Sequence, residues 1–144
     1  MKADNPIKHF ALAFVFALLC YVVAYNWIEH RRTRNGPWEV TFTNDISGNA
    51  AIVVNQPKLG LTNVAIIFTG HHAASSELVG TRSFAQPRPV PYPIGFAKIV
   101  FMDTTFLPGT LTLQAYGHEI ELLPRRMIID HQEKAWGPGE KIGL

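Results

Sequence analysis

Between Phe10 and Ile28 the chain reads FALAFVFALLCYVVAYNWI, nineteen positions without a charge, a proline or a glycine. A helix of that length spans about 28 Å, close to the hydrocarbon thickness of a bilayer. The run is apolar on every side, so as a buried core helix it would need more cover than the rest of the chain can supply. The pattern therefore predicts a short tail over 1–9, a single membrane-spanning helix over 10–28 and a basic juxtamembrane linker over 29–36.

Beyond Asn35-Gly36-Pro37 the pattern turns alternating, as in half-buried strands. Trp38, Val40 and Phe42 alternate with Glu39, Thr41 and Thr43, and the first set is expected to face a core. Asp45 to Asn49 supplies turn chemistry, and Ala51 to Gln56 reads as the returning strand of a hairpin. Val64, Ile66 and Phe68 mark a third strand. In AKIVFMD, Ile99 and Phe101 are expected on one face and Lys98, Val100 and Met102 on the other. In TLTLQAY-Gly117-His118-EIELL, glycine at the first central position predicts a type II′ turn that pairs Tyr116 with Glu119, Ala115 with Ile120 and Leu113 with Leu122. Met127 to Asp130 reads as a last strand, and 131–144 as a polar tail. About seven short strands with Pro/Gly turns predict a mainly β chain: one anchor helix, then a small antiparallel β-sandwich over 37–130, Ig-like or jelly-roll-like.

Charge refines this picture. Residues 1–34 carry Lys2, Lys8, Arg31, Arg32 and Arg34 against Asp4 and Glu29, a net +3, while 35–144 carry 8 basic and 9 acidic groups, a net −1. The excess base flanks the apolar run, and the near-neutral domain argues against nucleic acid as a partner. Tyr25, Trp27 and Trp38 are placed to sit near the interface, with Arg31, Arg32 and Arg34 at the headgroups. A cleaved secretory signal, with Val22 and Ala24 before the cut, is the competing reading. The apolar run continues past that point and is longer than the roughly 7–15 residues a signal core needs. Flanking positive charge is close to a tie; the short amino-terminal tail favours the cytoplasm and puts the β-domain on the exported side.

Small residues Ala13, Ala17, Cys20 and Ala24 fall four, three and four apart, a seam through which a second helix can approach closely, whether of a partner or of another copy. Cys20 is the one cysteine, which excludes internal disulfides, zinc ribbons and thiol redox pairs.

Catalytic signals are weak. Ser47, Ser75, Ser76 and Ser83 lack an elbow pattern, and no glycine-rich loop opens a helix. Glu119 and Glu121 share a strand face, which a solvated outer surface explains. His71, His72 and Glu77 form the local group that could hold zinc, iron or copper. Adjacent histidines on an extended segment point to opposite faces, so a polar loop is the simpler reading. His118 and His131 read as solvated. No cofactor is expected. In Gln86-Pro-Arg-Pro-Val-Pro-Tyr-Pro93, alternate prolines give a stiff extended strip, either a connector or a docking surface with Arg88 and Tyr92 as contacts. These features favour a membrane-anchored, non-enzymatic accessory or assembly subunit. The alternative is an exported ligand- or metal-binding domain using 70–93.

Overall fold

The computed structural model describes residues 5–144, which fall into two units divided between Arg34 and Asn35. The first is one helix, α1 (Pro6–Thr33), long and apolar enough to cross a membrane. Asn5 caps it by accepting from the Ile7 amide at 3.1 Å, and Pro6 supplies a pre-set first helical residue. The expected tail over 1–9 is helical from Pro6, and residues 1–4 lie outside the described ones. The expected linker over 29–36 is helical as far as Thr33. Helix-favouring residues continue past the apolar run, His30, Arg31 and Arg32 complement the carboxyl-terminal dipole, and Glu29 pairs with Arg32 at 3.2 Å.

The second unit, 35–144, is a β-sandwich. Its first sheet contains β1 (Glu39–Asn44), β2 (Ala50–Gln56), β3 (Leu61–Phe68), β4 (Gly80–Ser83) and β11 (Lys141–Gly143), in the order β11-β3-β2-β1-β4. The segment β4-β1-β2-β3 is a Greek key, closed by the long connection 69–79. The second sheet holds β5 (Tyr92–Ile94), β6 (Ala97–Asp103), β7 (Thr110–Ala115), β8 (His118–Leu123), β9 (Arg126–Ile129) and β10 (Gln132–Lys134) as a sequential meander. All pairings are antiparallel except β11 with β3. The core lies between the sheets, with Trp38, Phe42, Ile52, Ile66 and Phe68 facing Ile99, Leu113, Ile120, Leu122 and Met127.

Three expectations are corrected. The β7–β8 turn is Tyr116-Gly117, so Leu113 pairs with Ile120 and Ala115 with His118. Both turn residues have positive φ, 50° and 83°, as a type I′ turn requires. The register therefore moves by two residues, which leaves every side chain on its expected face. In β6 a bulge at Val100 turns Phe101 out to solvent and lets Met102 pack against the core. The stretch 131–144 is part of the fold: β10 extends the second sheet, β11 the first, and Trp136 packs on Trp38 at 5.6 Å between ring centroids.

Candidate functional site

Successive strands of a meander reverse direction, so three of its two-residue turns meet at one end of the second sheet: Gly95-Phe96, Tyr116-Gly117 and Asp130-His131. Asp130 and His131 both adopt positive φ, 51° and 63°. Aspartate and histidine are among the side chains that tolerate this region best. The Greek-key connection 69–79 arrives at the same end from the first sheet. Asn44 holds it there, donating to the Ala73 carbonyl at 3.2 Å and accepting from the Ala73 amide at 3.3 Å.

These segments enclose an open depression of about 680 Å³. One wall is aromatic. Tyr116 stacks with His71 at 4.4 Å and with Phe96 at 5.4 Å, and Phe96 meets Phe42 and Phe68 edge-on. The Tyr116 hydroxyl is pushed up in pKa by burial and then by the nearby Glu77 carboxylate. The rest of the lining is mostly polar. His118 Nδ1 lies 2.7 Å from Asp130 Oδ2, and Asp130 Oδ1 accepts from the Glu119 amide at 2.9 Å. These two hydrogen bonds, His118's first, hold the Asp130 carboxyl below the ordinary carboxylate range. With Glu77, Glu119 and Asp130 against Lys98, the lining is mainly acidic over an aromatic base. Among the described residues it contains no serine, threonine or cysteine for the His118–Asp130 pair to activate. The arrangement suits binding of a small polar or cationic molecule.

The residues expected from sequence are scattered. His71 turns onto Tyr116, His72 Nδ1 contacts the Gly48 carbonyl, and Glu77 accepts from the Ala74 amide at 2.8 Å, so these three do not converge. Glu77 alone of them lines the depression. Among the described residues, the side chains that do converge are Glu119, Glu121 and His131, whose ligand atoms lie within 4.8 Å of one another. Arg88 sits over the Tyr92 ring at 4.3 Å, in a separate groove on the side of the sandwich. Ala13, Ala17, Cys20 and Ala24 are all exposed on α1. Sequence reasoning missed the pairing of His118 with Asp130. Its signal was present in two dipeptides, Tyr-Gly and Asp-His, each between alternating segments and each able to form a two-residue turn. The chain matches no family model, no curated protein sequence and no solved structure.

Proposed function

We propose that this is a single-pass membrane protein whose β-sandwich, on the exported side, serves as a non-enzymatic accessory or assembly subunit of a larger membrane-associated complex. The supporting observation is the exposure of α1: fourteen large apolar or aromatic side chains from Ile7 to Ile28 are about half exposed or more. At roughly 1.5–3 kcal/mol for each such side chain moved out of water, covering them is worth tens of kcal/mol. Lipid meets most of that demand, and the small-residue seam offers a place for another helix. The test is affinity purification of the tagged full-length protein from native membranes in mild detergent, followed by mass spectrometry. A reproducible stoichiometric partner is expected. A lone monomer to which no neighbour cross-links would overturn the subunit role.

The depression at the turn end favours a second reading, an exported ligand-binding domain. Glu77 from the 70–93 region contributes to its lining, and His71 stacks on Tyr116. A small molecule that raises the melting temperature of the wild type but not of Tyr116→Ala would support this reading.

A further inference from the structure

The chain crosses from the first sheet to the second between Ser83 and Tyr92, and that crossing leaves one side of the sandwich open. β4 ends the first sheet there and β5 begins the second. The groove between them has a volume of about 460 Å³. Phe84, Tyr92, Ile94 and Met102 give it an apolar floor, and Arg82 and Arg88 line it with positive charge. Among the described residues no aspartate or glutamate lines it. Among the described residues neither arginine is in an ion pair; Arg88 rests on the Tyr92 ring.

β4 also has an unused edge. The Phe84 amide donates to the Trp38 carbonyl at 3.0 Å, and the register pairs Arg82 with Val40 and Thr81 with Thr41. In an antiparallel ladder that alternation turns the Arg82 and Gly80 backbone toward β1 and the Thr81 and Ser83 backbone outward. Two amides and two carbonyls are thus presented beside the groove. All four residues of β4 are exposed.

We infer that this groove receives an extended, acidic peptide segment of a partner protein, which adds as a strand to the free edge of β4 and sets its carboxylates against Arg82 and Arg88. Strand addition satisfies the outward backbone groups, and because Arg82 pairs with buried Val40 on the inner face of the sheet, the face of the added strand that carries the carboxylates also meets the apolar floor. Acidic character follows from two cations with no acidic neighbour in the groove. A second copy pairing through the same edge would bring like-charged Arg82 side chains together, which is unfavourable. The inference rests on the proposed subunit role and names the chemistry of the partner.

The probe is a fluorescein-labelled peptide of the repeat glutamate-threonine-valine-threonine, which puts glutamate and valine on one strand face, titrated by anisotropy against purified full-length protein in detergent micelles. Two controls are the same peptide with lysine in place of glutamate and the acidic peptide N-methylated at every residue, which keeps its charge but has no edge free to pair with a strand. The expected result is binding of the acidic peptide only. Arg82→Glu with Arg88→Glu should weaken it by about tenfold, while the Arg→Lys pair retains most of it. Equal binding of the acidic and basic peptides, undiminished binding of the N-methylated peptide, or wild-type affinity in the charge-reversed variant would each overturn the inference. So would a dimer that cross-links through β4 and excludes the peptide. A partner from native membranes that co-purifies equally with wild type and the charge-reversed variant overturns the groove assignment while leaving the subunit role standing.

Discussion

Gly95 is the position where the turn end is most sensitive to a single atom. It occupies the first central position of the β5–β6 turn with φ +55°, and a Cβ there would lie 2.9 Å from both the Glu77 carbonyl oxygen and Phe42 Cγ. Gly95→Ala therefore carries two costs. The left-handed backbone costs about 1–2 kcal/mol for a residue with a Cβ, and overpacking against a backbone oxygen and a buried ring costs about 1–3 kcal/mol more. Gly117→Ala isolates the first cost, because Gly117 has φ +83° and a Cβ there would meet nothing beyond its own chain neighbours within 4 Å. The expected total is roughly 2–5 kcal/mol for Gly95→Ala against about 1–2 for Gly117→Ala. At several degrees per kcal/mol for a domain of this size, Gly95→Ala should melt roughly 5–15 °C below Gly117→Ala. The assay is thermal unfolding of the full-length protein in detergent, followed by near-ultraviolet circular dichroism, which reports the packing of Phe42, Phe96 and Tyr116. Equal melting temperatures for the two variants would refute the close approach of the 69–79 connection to this turn.

Asp130 has a folded pKa below its unfolded value of about 3.9, so its contribution to stability is present above that pH and is lost as pH falls through the folded pKa. The gap in urea midpoint between wild type and Asp130→Asn should be full at pH 6 and close below about pH 4; a gap unchanged at pH 3 would contradict the His118 and Glu119 hydrogen bonds. Gln56, 1% exposed, donates to the Gly36 and Pro37 carbonyls at 2.9 Å each, so Gln56→Leu should lower unfolding free energy by about 1–3 kcal/mol, measured by denaturant titration. If the domain is exported, Ser47→Cys in a Cys20→Ser background will react with a membrane-impermeant maleimide on intact cells; labelling only after lysis would reverse the orientation. Ala17→Leu should reduce recovery of any helix-packed partner or dimer, whereas Val15→Leu, about 200° around the helix, should not.

Local pattern carried most of the strands. Trp38, Val40 and Phe42 are buried as alternation predicts, because a strand with one face in a core has a period of two. The same period explains the register error in β7–β8: moving the turn from Gly117-His118 to Tyr116-Gly117 shifts pairing by two residues, and burial is identical in both. The bulge at Val100 is invisible to alternation, since one extra residue breaks the rule on which the reading depends. β11 is a three-residue strand with a single partly buried apolar residue, Ile142, and parallel pairing fixed by distant β3, so nothing local marks it. The turn end was least legible. Its residues come from three hairpins and a connection from the other sheet, and only the stacking order of strands brings them together.

That stacking order also changes what the domain's net charge means. A value near zero over 35–144 reads as an unremarkable surface, yet Glu77, Glu119 and Asp130 gather at the turn end while Arg82 and Arg88 line the side groove. Net charge is an average over surfaces that meet different partners. To a nucleic acid the groove taken alone offers two cations. Affinity for a polyanion depends on how many phosphates are neutralised, and two arginines release too few counterions for tight binding. A short carboxylate-bearing strand asks less of charge, because backbone hydrogen bonds along β4 supply affinity and the arginines select sign. The two unpaired cations and the unused strand edge are therefore more informative together than either is separately.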